Sequence, residues 1–87
     1  MEKESSGQID FGNSFYTFDL GLASVLVTKG CEIIHLDKTN RKKVKFVFQD
    51  SEELGKTTEK YWNNELKINA RTLFENQKIL KNRIYSD

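Results

Sequence analysis

The segment Leu20–Val27 limits the folds open to this chain more than any other. On a helical wheel, Leu20, Leu22, Ala23, Val25, Leu26 and Val27 cover most of the circumference, and Gly21, Ser24 and Thr28 form a narrow small-residue strip. A helix that is apolar nearly all round has to be covered on every side, so it belongs at the centre of the molecule. Thr17 or Asp19 is placed to cap its start, and Gly30 stands where a left-handed C-terminal cap belongs. The valines also favour a competing reading, a buried strand at Val25–Thr28.

What can cover such a helix follows from the flanking segments. Phe15-Tyr16-Thr17-Phe18 is aromatic and β-branched, which predicts a short strand before it. After it, Cys31–Asp37 and Lys43–Gln49 predict two strands around Lys38-Thr39-Asn40-Arg41-Lys42. Pairing Leu36 with Val44, Ile34 with Phe46 and Glu32 with Phe48 collects the large apolar side chains on one face. Cys31, Ile33, His35, Asp37, Lys43, Lys45 and Val47 then share the other. Asp50 or Ser51 caps a second helix whose inward stripe is Leu54, Thr58, Tyr61 and Trp62, ended by Asn63-Asn64. Gly55 inside it costs about 1 kcal/mol relative to Ala. Asn69 caps a third helix with an inward stripe of Ala70, Leu73, Phe74, Leu80 and Ile84.

The expected architecture is therefore α+β: a two- or three-stranded sheet with a hairpin, packed on three helices in the order (β)-α-β-β-α-α. Its expected core is Leu22, Leu26, Ile34, Leu36, Phe46, Phe48, Leu54, Tyr61, Trp62, Leu73, Phe74 and Leu80. At 87 residues this is one domain, over residues 14–87, behind a flexible polar leader at 1–13 in which only Ile9 and Phe11 can pack. A chain of this size buries only about 60–65% of the surface its unfolded form exposes, which predicts modest stability. No apolar run approaches the roughly 20 residues needed to span a bilayer. With no secretory signal and a lone cysteine, the expected setting is reducing and cytoplasmic.

Catalysis at neutral pH needs a tuned acid or base, or an activated nucleophile. The chain has one histidine and one cysteine. At a strand rise of about 3.3 Å per residue, Cys31 and His35 lie roughly 13 Å apart, too far to share a metal or act as nucleophile and base. The isolated glycines Gly21, Gly30 and Gly55 form no phosphate-binding loop. The expectation is a non-enzymatic domain without metal or cofactor.

The residues do point to a partner. Lys38, Arg41, Lys42, Lys43 and Lys45 fall within eight residues that hold no acid, whereas residues 1–37 carry two bases and six acids and residues 50–87 carry seven of each. A positive hairpin tip suits nucleic-acid phosphates bound without sequence specificity. It also serves simply to keep a sheet edge soluble. Arg71 and Lys78 on the third helix extend the positive surface if that helix lies beside the tip. Exposed aromatic platforms of the kind common in single-strand binders are not expected, because the aromatic residues mostly fit apolar stripes, with Tyr16 and Tyr85 the least constrained. The alternative is a protein-binding accessory or inhibitor domain using Ile33, Val47 and Ile79.

One further pattern runs through these segments. Phe15-x-Thr17-x-Asp19-Leu20-x-Leu22-Ala23, then Lys29-Gly30, Phe46-Val47-Phe48-x-Asp50, Tyr61-Trp62-Asn63-x-Glu65-Leu66 and Lys81-x-Arg83-Ile84-Tyr85, resembles an uncharacterised family of small phage, mobile-element and bacterial domains, a domain of unknown function. The resemblance covers residues 15–85, with Tyr-Trp-Asn-x-Glu-Leu its most distinctive part, and Gly55 departs from the charged residue it would place there. It implies a family and a mobile-element setting, and brings no catalytic residues.

Overall fold

The structure, a computed structural model, describes residues 8–10, 14–40 and 42–86. In chain order its elements are β1 (Gln8–Asp10), β2 (Ser14–Thr17), α1 (Leu20–Thr28), β3 (Ile33–Asp37), β4 (Lys45–Gln49), α2 (Glu52–Trp62) and α3 (Ala70–Tyr85). The strands form one antiparallel sheet in the order β1-β2-β4-β3. The α+β class and the order of elements are those expected, with β1 added from the segment read as a leader. The rest of that leader, and any packing by Phe11 or the Ile9 side chain, lies outside the described residues.

Helix α1 is the element that the other layers meet: it packs on β2, α2 and α3. Its start is held by the Asp19 carboxylate, which accepts from the Gly21 and Leu22 N–H groups at 2.8 and 3.2 Å. Its end is a Schellman turn: Gly30 at φ 93° lets its own N–H reach the Val27 carbonyl and the Cys31 N–H reach that of Leu26. The small-residue strip is in contact with α2 and α3. Gly21 lies under the Tyr61 hydroxyl of α2, Ser24 is fully buried, and the Thr28 hydroxyl accepts from Asn76 of α3 at 3.0 Å. Small side chains on α1 are what let α2 and α3 approach it.

The core joins Leu22 and Leu26 of α1 to Phe15 of β2, Phe46 and Phe48 of β4, Leu54 of α2 and Leu80 of α3. Burying each of these large side chains contributes about 1.5–3 kcal/mol. Phe15 is an addition to the expected core. Three expected members are instead exposed: Ile34 at 49%, Trp62 at 44% and Phe74 at 64%.

Each departure has a local cause. In β3, Ile33 stands opposite Phe48 while His35 stands opposite Val47, so Ile34 is the extra residue of a β-bulge. The bulge turns Ile34 outward and brings Ile33 against the core. The hairpin register is also displaced from the expected one, because Leu36 pairs with Phe46 rather than with Val44. In α2 the buried Thr57 swings the inward face onto Leu54, Thr57 and Tyr61 and leaves Trp62 at its margin, edge-on to Tyr61 with ring centroids 4.8 Å apart. In α3 the buried face centres on Leu80, and Phe74 lies about 120° away from it around the helix. Among the described residues, no helix is long and apolar enough to cross a membrane.

Candidate nucleic-acid interface

The hairpin tip is shaped by two Asx turns. The Asp37 carboxylate accepts from the Thr39 N–H at 3.0 Å, and the Asn40 side-chain carbonyl accepts from the Lys42 N–H at 3.0 Å. Lys43 N–H then donates to the Asn40 backbone carbonyl. These bonds draw the residues after Asp37 out of the ladder, whose last pair is Asp37 with Lys45. Hydrogen bonds from the Thr39 side chain and backbone hold the Asp37 carboxyl below its ordinary pKa, with smaller contributions from Lys45 and His35.

Of the five basic residues, four are described, and they divide by role. The Lys38 ammonium donates to the Arg83 and Ser86 carbonyl oxygens at 2.9 and 2.7 Å, so it caps the end of α3. Lys42 projects from the tip and is exposed. Lys43 lies over the Phe18 ring at 4.7 Å from its centroid, and Lys45 over the Tyr16 ring at 4.5 Å. Arg41 lies outside the described residues.

Strand alternation explains the pairing of lysines with rings. Phe15 and Thr17 are buried under α1, which sends Tyr16 to the opposite, outer face of the sheet, and Phe18, one residue past the end of β2, lies against it. On β4, Phe46 and Phe48 are buried, which sends Lys45 and Val47 outward beside them. Tyr16 and Phe18 contact each other edge to face, with centroids 5.7 Å apart. Phe18, Lys43, Lys45, Asp37, Thr39 and Asn40 line a cleft of ≈ 230 Å³. That volume lies below the roughly 300–1,000 Å³ of sites that enclose a small molecule, so the cleft is an open groove in a surface.

The remaining candidates do not join this surface. The last turn of α3 meets the hairpin through Lys38. Arg71 is at the other end of that helix, about 18 Å along the axis from Arg83, where its guanidinium lies 4.0 Å from the Glu75 carboxylate. Lys78 is exposed partway between. The expected outer pair of Ile33 and Val47 does not form, because the bulge places Ile33 opposite Phe48 and gives Val47 the neighbours His35 and Tyr16. Ile79 is 54% exposed on α3. The same bulge separates Cys31 from His35: Cys31 packs toward the core, where burial and then Glu53 push its thiol pKa up, while His35 is exposed. Among the described residues, no three His, Cys, Asp or Glu side chains converge on a possible ion site.

Sequence reasoning located the lysines but missed their aromatic partners. The signal was present in Phe15-Tyr16-Thr17-Phe18, whose period of two separates Tyr16 and Phe18 from Phe15 and Thr17. What hid it was the pairing of β2 with β4, which joins segments about thirty residues apart.

A family model described as a domain of unknown function, DUF5659, matches residues 12–86. No curated protein and no solved structure matches the chain.

Proposed function

We propose that this chain, which belongs to the DUF5659 family, is a non-enzymatic accessory domain that contacts nucleic-acid phosphates through its basic β-hairpin. The observation that carries this reading is that Lys43 and Lys45 line one open cleft at the hairpin end of the sheet, with the exposed Lys42 next to them in the chain and the hydrogen-bonded Asp37 as the acid of that cleft. Three ammonium groups at one end of a hairpin suit a string of phosphates, and such contacts position a strand without reading its sequence. Lys38 is taken by α3, so the phosphate-facing set is smaller than the basic cluster in the sequence. A non-enzymatic role is supported by the separation of Cys31 from His35 and by a thiol whose raised pKa disfavours the reactive thiolate.

The test is a salt titration of affinity for single- and double-stranded DNA and RNA, wild type against a variant with Lys42, Lys43 and Lys45 changed to Gln. Removing one lysine–phosphate contact should lower the slope of log affinity against log salt by about 0.7 to 0.9. Wild type that binds none of the four nucleic acids at about 50 mM salt, where such contacts are strong, sinks the proposal.

A further inference from the structure

We infer that the outer sheet face binds single-stranded nucleic acid by base stacking, with Phe18 and Tyr16 as platforms and Lys43 and Lys45 as the groups that pass from ring to phosphate. The inference rests on the phosphate-contacting role of the hairpin and adds which form of nucleic acid it takes. Three observations lead to it. First, a half-buried Tyr and a half-buried Phe stand on the sheet face turned away from the core, where burial of apolar surface does not explain them. Second, each carries an ammonium group over its face, so ring and cation sit together at the scale of one nucleotide. Third, Phe18 and both lysines line the same open cleft.

A duplex keeps its base faces stacked inside and offers only its edges and phosphates. Aromatic side chains beside cations therefore favour unpaired bases, which stack on the ring while the backbone runs along the charges. The lysines do not block this. A lysine held over a half-buried ring at the surface is a weaker contact than a base stacked on it, and the displaced ammonium gains a phosphate in exchange. The edge-to-face geometry of Tyr16 and Phe18 gives the strand two ring faces at a steep angle, 72° between planes, so neighbouring bases are splayed and not continuously stacked. Stacking tolerates any base, in keeping with a site built from rings and ammonium groups.

The decisive comparison uses the wild-type protein and strands of equal length and charge. Binding at about 50 mM salt is measured for single-stranded DNA, single-stranded RNA, a duplex of the same sequence, and an abasic strand that keeps the phosphates and lacks the bases. Both base-bearing single strands should bind, and the abasic strand should bind about 5- to 150-fold more weakly for each base engaged. Phe18→Leu, which keeps an apolar side chain at the cleft, should weaken the base-bearing strand by a similar factor and leave the abasic strand unchanged. In the free protein the Lys43 and Lys45 side-chain protons should resonate upfield from ring currents and move back when a strand is added. An abasic strand that binds as tightly as the base-bearing one, or a duplex that binds more tightly than either, overturns the stacking site and leaves the hairpin's phosphate role standing. Absence of binding by all four removes both.

Discussion

The Lys38 ammonium donates to the Ser86 carbonyl oxygen at 2.7 Å across a chain separation of 48 residues. With its second bond to the Arg83 carbonyl, it fastens the hairpin to the end of α3 and satisfies carbonyls that the helix itself leaves open. One basic residue of the tip is thus a structural clasp, while Lys43 and Lys45 rest on aromatic rings.

Lys38→Gln should therefore lower stability and leave phosphate binding nearly untouched. Removing two charge-assisted bonds at an accessible site should cost about 1–2 kcal/mol, or several degrees in Tm for a domain of this size. Lys43→Gln with Lys45→Gln should show the reverse, a reduced salt slope with little change in Tm. Thermal melts and salt titrations on the same samples separate the two. A Lys38→Gln protein that melts like wild type but has a reduced salt slope would place Lys38 among the phosphate contacts.

How far the sequence could carry the fold is clearest from Leu20–Val27 and from Ile34. The apolar helix, its Asp19 and Gly30 caps, and the Ser51 and Asn69 caps of α2 and α3 are set by residues within one or two turns of each other, and were legible, Asp19 and Ser51 each as one of two candidates. The β-bulge at Ile34 was not, because Ile33 and Ile34 are equally apolar and only the tertiary pairing decides which faces inward. Trp62 misled for a related reason. Its neighbour Tyr61 takes the position facing α1, and a helix offers only one of two adjacent residues to the same partner. At the site, charge was legible because the lysines are sequence neighbours. The rings were hidden because β2 reaches β4 only in the folded sheet.

Gly55 offers a clean gain in stability. It is exposed in α2, its φ is not in the left-handed region, and a Cβ built on it meets nothing within 4 Å. Gly55→Ala should raise stability by about 0.5–1 kcal/mol, through lower backbone entropy in the unfolded chain. Chemical denaturation of the two proteins reads this directly, and a decrease in stability would show that the glycine is needed for packing.

Gly21 should behave in the opposite way. A Cβ there would stand 2.9 Å from the Tyr61 hydroxyl oxygen and 3.2 Å from the Asp19 oxygen that caps α1. Gly21→Ala should destabilise the fold by about 1–3 kcal/mol despite the higher helix propensity of alanine. Tyr61→Phe should recover part of that deficit, since it removes the atom in closest approach. The coupling energy of the Gly21–Tyr61 double-mutant cycle is the measurement, and simple additivity would mean that α1 and α2 do not meet through this pair.

Alkaline pH tests the same interface from the side of ionisation. Burial raises the pKa of Tyr61 above its ordinary 10.0, with the Asp19 carboxylate adding to the effect. Burial likewise raises Cys31 above its ordinary 9.0, with a further contribution from Glu53. For both groups the folded state holds the proton to higher pH than the unfolded chain does. Stability is therefore intact below the unfolded values, begins to fall as pH rises past 9.0 for Cys31 and 10.0 for Tyr61, and is lost through the folded values. Melting temperature followed from neutral to strongly alkaline pH should decline in that order. Cys31→Ala should remove the earlier part of the decline and Tyr61→Phe the later part, each measured against its own value at neutral pH. A Tyr61→Phe protein whose alkaline decline matches that of wild type would show the Tyr61 hydroxyl to be as free to ionise as in the unfolded chain, and its burial between α1 and α2 would have to be given up.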